Sequence, residues 1–197
     1  MAIQLDQPRN TVPVIGPRDF GQRALGMVVN KEQRTRLNRE GETILNSRGK
    51  PAQEEVLTVL VLDGNTGTIS GGDLNDDYAP EVGTLGRMIV KGLTFGKLID
   101  ARKTAGGTTQ VGDVIALSAP SATIWRGAGD IASANVTDPA VVAKARAKGL
   151  SVGWDIEVEY RRATPGEAAL VARCEELHME LRAGIKLDAG HDDEPAF

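Results

Sequence analysis

The chain has 197 residues, 41% of them apolar, with a formal net charge of −4, one Cys and two His. That length and apolar content suit one domain with a proper core, and the lone Cys174 and two His exclude a disulfide framework and a zinc cluster. The 23 Gly and the 4% aromatic content favour an antiparallel β protein rich in turns over a helical bundle.

In chain order, residues 1–17 carry Pro13, Gly16 and Pro17 and no periodicity, so they read as an N-terminal arm. Ala24 to Val29 predicts a first strand, continued by Asn30 to Arg36 as a polar ribbon. "NREGETILNSRGKPAQ" has Gly41, Gly49 and Pro51 and predicts a loop with room for a small hairpin. Val56 to Leu62 is nearly all apolar and predicts a buried second strand, closed by Asp63-Gly64. "SGGDLNDDYAPEVG" reads as a polar loop, and "TLGRMIVKG" as a third strand. Phe95, Leu98, Ile99 and Arg102 then fall at helical spacing, with Thr94 placed as N-cap and Gly106 as the stop. "QVGDVIALS" predicts a fourth strand and "SATIWRGAG" a short extended piece.

"DPAVVAKARAKG" predicts a compact helix: Asp138 caps it, Pro139 takes its first position, and Gly149 lies past its end. "GWDIEVEYRR" alternates Trp154, Ile156, Val158 and Tyr160 against Asp155, Glu157, Glu159 and Arg161, which predicts a fifth strand with one wet face. A last helix starts at a Thr164/Glu167 capping box with Pro165 at its first position. Its apolar stripe is Leu170, Cys174, Leu177 and Leu181, and Gly184 is placed as its end. The expected fold is therefore mainly β: an OB-fold-like five-stranded barrel with a helix between strands three and four, plus a C-terminal helix. The expected divisions are an arm over 1–17, the OB-fold-like domain over 18–163, the helix over 164–187, and a disordered acidic tail over 188–197.

Charge is unevenly spread. Residues 18–50 hold eight Lys/Arg against four acids, residues 53–83 hold seven acids and no base, and residues 84–106 hold five bases against Asp100. A near-neutral body with basic segments can still bind a polyanion locally. Lys31, Arg34, Arg36 and Arg39 lie on and just past the first strand, Arg48 and Lys50 follow in its loop, and Arg87 and Lys91 share one face of the third strand. Single-strand binders combine such a basic groove with aromatic faces for bases. Trp125, beside Arg126, is the stacking candidate, with Tyr78 and Phe20 behind it. Ordinary solvation is the competing reading of the same charges.

Other motifs fall short. "GLTFGKL" is one residue too tight for a phosphate loop, and Leu98 stands where a hydroxyl must hold magnesium. "DLNDDY" opens like a calcium loop, but Tyr78 replaces the needed Gly and Thr84 the bidentate Glu. Asp155, Glu157 and Glu159 have no nucleophile placed beside them and read as a solvated face; Cys174 reads as buried and His178 as a surface residue. No catalytic residue, metal site or cofactor is expected, so the chain does not read as an enzyme.

The chain finishes "HDDEPAF". "DDEPAF" resembles the C-terminal tip of bacterial and phage single-stranded-DNA-binding proteins. "RALGMVVNKEQRTRLNREGETILNSRGKPAQEEVLTVLVL", followed by "GRMIVKG", a helix and "VGDVIALS", resembles replication-module proteins of actinobacterial phages over residues 18–163. The resemblance implies sequence-independent binding of single-stranded DNA in phage replication or recombination. It also implies that Asp192, Asp193, Glu194 and Phe197 dock replication or recombination proteins, the ring and carboxylate entering a pocket while the acids meet a basic rim. The C-terminal helix is an addition to that family's pattern, suited to a homodimer contact or to capping the barrel. A structural virion component (connector or tail) and a recombinase-regulating adaptor are the alternative functions. No run reaches transmembrane length, and "MAIQLDQPRN" lacks a basic-then-apolar leader, so no membrane contact is expected and the location implied is the cytoplasm, a host's if the chain is phage-encoded.

Overall fold

A computed structural model describes residues 12, 14–17, 21–38, 40–63, 67–69, 81–127 and 129–189. The chain runs β1 (Val14–Gly16), β2 (Arg23–Thr35), β3 (Gln53–Val61), β4 (Gly67–Ile69), β5 (Leu85–Lys91), α1 (Leu93–Thr104), β6 (Val114–Gly127), β7 (Asp130–Val136), α2 (Pro139–Ala147), β8 (Ser151–Arg161), a 3₁₀ turn (Pro165–Glu167) and α3 (Ala168–Ala189). The architecture is mainly β, one curled sheet forming about half a barrel, with three helices. The expected strands one to five correspond to β2, β3, β5, β6 and β8. Three short strands were not expected: β1, inside the stretch read as an arm, β4, and β7, which folds back on β6 as a hairpin.

Pairing is antiparallel from β5 to β3, β3 to β2, β2 to β6 and β6 to β8. β6 is long enough to hold β8 along one edge and to share the other between β2, at Val114–Ser118, and β7, at Ala122–Gly127. β5's outer edge is taken by β1, parallel at Val14↔Arg87, and β1 in turn pairs with β4. Among the described residues no ladder joins β5 to β8, so the curl is open there. α1 packs on both strands beside that opening.

Strand alternation sorts side chains to two faces, and both faces are buried at one end of the sheet. The inner core holds Val28, Leu57, Val59, Met88, Val90, Ile115 and Leu117, with Ile15 from β1 and Leu98 from α1. Ile15 occupies the space a Cβ on Gly86 would need, at 2.7 Å, which is why β1 can lie so close to β5. Outside, Met27, Val29, Leu60 and Val114 pack under α3. A register shift between Val28 and Asn30 adds Val29 to this outer set. Sheet burial on both sides explains the unbroken apolar runs of β2 and β3. A third cluster, Ala122, Ile124, Val136, Val142 and Ala145 with Trp154, holds the far half of β6 to β7, β8 and α2.

The helix ends correct several expectations. α1 begins one residue before Thr94, at Leu93, with Gly92 in the cap position, because Gly92 adopts φ 59° and ψ −133° and turns the strand straight into the helix; Thr94 makes no cap bond. Ile99 sits at the exposed rim of α1, while Leu98 and Arg102 are buried. α2 is capped as expected, the Asp138 carboxylate accepting from the Ala140 amide at 2.9 Å. α3 packs through Val171, Cys174, Leu177 and Leu181, whereas Leu170 is exposed. It also runs through Gly184 to Ala189, since one glycine inside a helix costs only about 1 kcal/mol. Burial pushes the Cys174 thiol up to about 11. His178, read as a surface residue, is half-buried.

A buried polar chain crosses the sheet. Glu55, on the inner face of β3, accepts from Arg102 Nη2 of α1 at 2.6 Å, with side-chain exposures of 2% and 11%. The Arg102 guanidinium lies 6.0 Å from the Tyr160 ring centroid. The Tyr160 hydroxyl donates to Asp113 Oδ2 at 2.6 Å, as does Arg162 Nη1 at 2.6 Å, and the Gln110 amide donates to it at 2.7 Å. Burial first, then the hydrogen bond to Asp113, holds the Tyr160 phenol well above its ordinary range.

Unfolding in urea should show that Glu55→Leu or Arg102→Met alone costs about 3–5 kcal/mol, because one charged group is left buried without its partner. The double variant Glu55→Leu with Arg102→Met should return most of that loss; a double loss equal to the sum of the singles would contradict the pairing. At the entry to α3, Arg161 donates to both Glu167 oxygens at 2.7 Å, and the Thr164 amide and hydroxyl donate to Oε2 at 2.8 and 2.9 Å. These bonds, Arg161's first, hold the Glu167 carboxyl at about 2 against an ordinary 4.5. The stabilisation is therefore complete above the ordinary value and disappears as pH falls through the folded one. The stability gap between wild type and Glu167→Gln should close between about pH 4.5 and about pH 2, read by thermal unfolding across that range.

Candidate nucleic-acid interface

The basic residues of the first strand and its loop lie on the exposed stretch of β2 past Asn30, whose β3 partners Glu54 to Leu57 are buried, and in the loop beyond it. Lys31 is exposed, opposite Leu57 on the inner face. Arg34 stands on the outer face in a cross-strand row with Glu54 and Lys91. Glu54 accepts from Arg34 Nε at 2.7 Å, so one expected phosphate contact already has a carboxylate partner. Arg87 and Lys91 do share a face with Ile89, but Arg87 Nε donates to the Val12 carbonyl at 2.9 Å and helps tether the chain ahead of β1. Lys91 is exposed.

The loop from Arg36 to Ala52 is a fork. Arg36 donates its amide to Ala52 O at 2.9 Å, Ala52 donates to Ile44 O at 2.7 Å, and Ile44 donates to Arg36 O at 3.0 Å. Three residues thus close a ring of backbone hydrogen bonds, and from it branch the β2–β3 ribbon and two hairpin arms bridged at Leu37↔Thr43 and Leu45↔Pro51. The arms are built alike. Asn38 Oδ1 accepts from the Glu40 and Glu42 amides at 3.0 and 2.8 Å; Asn46 Oδ1 accepts from the Arg48 and Lys50 amides at 2.9 and 3.1 Å. Gly41 and Gly49 follow at φ 83° and 69°, in the left-handed region these turns require. The signal was in the sequence: "LNREGETI" and "LNSRGKPA" are consecutive eight-residue units sharing Leu-Asn-x-x-Gly.

Arg48 and Lys50 are exposed on the second arm, and Arg36 is half-buried at the ring. Arg39, Tyr78, Phe20, Asp192, Asp193, Glu194 and Phe197 lie outside the described residues. Trp125 and Arg126 belong to the far end of β6. Because Ser118 pairs with Arg23, β6 continues beyond the start of β2, away from the fork, and the path along the strands from Thr35 to Trp125 is on the order of 60 Å. The candidates thus form two groups, at opposite ends of the β2–β6 pair.

Trp125 is half-buried, its Nε1 at 3.5 Å from where a Cβ on Gly153 would stand. Its face of β6 also carries Ser121 and Thr123, whose hydroxyls donate to the Asp155 carboxylate at 2.9 Å each. Glu159, in the same row of β8, takes Arg23 Nη2 at 2.8 Å. Trp125 therefore borders an acidic strip, and Arg126 is the exposed cation beside it. Trp154, on the opposite face, packs with α2 under the Arg146 guanidinium, 5.2 Å from its ring centroid.

Among the described residues no group of three or more His, Cys, Asp or Glu is placed to hold a metal ion, and no helix is long and apolar enough to cross a membrane. No protein-family model, curated protein or solved structure matches the chain.

The Asn46 bonds hold the arm that carries Arg48 and Lys50. Asn46→Ala should raise amide hydrogen-exchange rates at Arg48 and Lys50 about five- to tenfold, the loss of roughly one net hydrogen bond, while amides of β3 stay unchanged. Unchanged exchange at those two amides would remove Asn46 from the role.

Proposed function

We propose that the chain binds single-stranded DNA without sequence preference during phage DNA replication or recombination, with its acidic tail recruiting partner proteins. The observation that carries the reading is the pairing order β5-β3-β2-β6-β8, with α1 between β5 and β6. That order supports reading the curl as an OB-like barrel opened between its third and fifth strands. On that reading the fork is the first-to-second strand loop and the β7–α2 lobe the fourth-to-fifth, the two loops with which such barrels grip nucleic acid. Lys31, Arg36, Arg48, Lys50 and Lys91 then meet phosphates, joined by Arg39. Arg34 and Arg87 join after leaving Glu54 and Val12, and Arg126 helps Trp125 take a base. Asp192, Asp193, Glu194 and Phe197 form the partner-docking tip.

A structural virion role is the second reading, favoured by Leu37 and Leu45, which are 57% and 59% exposed on the fork and suit a protein contact better than a phosphate backbone. Oligo-dT titration decides between them. The affinity should fall steeply with salt, and Arg48→Ala with Lys50→Ala should lower the slope of log K against log salt by about 1.4, two phosphates' worth for a single strand. Trp125 emission should be quenched on binding, and Trp125→Phe should abolish the quench while Trp154→Phe leaves it. Absence of single-strand binding at low salt, together with co-sedimentation of the chain with particles, overturns the DNA reading in favour of the structural one.

A further inference from the structure

The two arms of the fork have one backbone design and opposite charge. At the position after the turn's second residue, the first arm has Glu40 and the second Arg48; one residue past the glycine, the first has Glu42 and the second Lys50. All four side chains are exposed. Glu42 Oε2 also accepts from Asn38 Nδ2 at 2.9 Å, which holds that exposed carboxylate over the arm. The first arm also carries Arg39, where the second has Ser47. Beside the charges each arm exposes one leucine at the same place in the repeat, Leu37 and Leu45, at 57% and 59%.

From this matched geometry and reversed charge we infer that the fork is a self-docking surface: the acidic arm of one copy seats against the basic arm of a second. A two-fold axis makes both contacts at once, since the first arm of each copy meets the second arm of the other. The four leucines then form the apolar centre and the charged residues the rim, the ordinary division of a protein interface. The arms are small, so the contact belongs with weak, salt-sensitive associations, in which charge complementarity sets partner and register. This goes beyond the DNA reading. Because Arg48 and Lys50 belong to both, a second copy and a DNA strand compete for the basic arm.

The test uses the full chain with no nucleic acid present, so its outcome is independent of the DNA reading. Sedimentation velocity over a concentration series should show a monomer–dimer equilibrium at low salt that shifts to monomer at about 0.5 M salt, where screening reaches only a few ångströms. Two reversed chains are then compared, Glu40→Lys with Glu42→Lys, and Arg48→Glu with Lys50→Glu. Each alone should associate at least about tenfold more weakly, and their equimolar mixture should return to within about threefold of wild type, because the mixed dimer restores both contacts. The chain carrying all four changes should self-associate again. Unchanged melting temperatures confirm that the variants are folded. A wild-type chain that stays monomeric at low salt, reversals that leave association intact, or a mixture no better than its components overturns the inference.

Discussion

The Glu55–Arg102 pair joins parts of the molecule that, among the described residues, no ladder joins. β5 and β8 flank the opening of the curl, and α1 lies against both. A helix in that place needs an anchor that fixes rotation as well as depth. Leu98 supplies depth, being fully buried in the inner core. Arg102, one turn on, supplies rotation: its guanidinium meets Glu55 on β3 and lies near the Tyr160 ring on β8. Tyr160 and Arg162 then share Asp113 at the entry of β6. The helix is thereby tied to the second strand, and the last strand to the entry of β6, by directional bonds, where hydrophobic contact alone would allow sliding.

The opposite face obeys a different constraint. α3 covers the outer side of β2 and β6, so that end of the sheet is sealed from both sides. The β2 side of the ribbon past Asn30 and the fork stay exposed, while the lobe beyond Ser118 has a separate core of its own under α2. Open surface and charge therefore coincide: basic at the fork, acidic along the Ser121–Asp155 face. Those properties follow from where the cores stop.

Much of the frame was legible. Five of the eight strands among the described residues, the existence of α1, the α2 cap and the Thr164/Glu167 box all rest on local signals: alternation, Pro and Gly punctuation, and capping residues. The short strands β1 and β4 were not legible, because three residues carry no period and their strand state depends on a neighbour's free edge. Thr94 failed as a cap because Gly92's backbone made an earlier entry possible. Leu170 failed as a core residue because the stripe's phase depends on which face the sheet meets, and Val171 meets it. Glu55 is invisible in sequence, since an acid inside "EEVLTVLV" gives no sign that a helix nearly fifty residues later will supply its counter-charge. The candidate site suffered from the same blindness. Charges could be counted, but Glu54's hold on Arg34 and the distance between Trp125 and the fork depend on register.

The ring at Arg36, Ile44 and Ala52 has a consequence for how this loop can vary. Each of the three residues spends its amide on the next, so none of them tolerates proline, although Pro51 sits immediately beside one. The ring also divides the loop into interchangeable units. Removing one whole unit, Leu37–Ile44 or Leu45–Ala52, would leave the other to close β2 onto β3 as a plain hairpin in the same register. Removing half a unit would leave two amides without acceptors at the tip of the ribbon. Length change here is therefore quantised in steps of one arm.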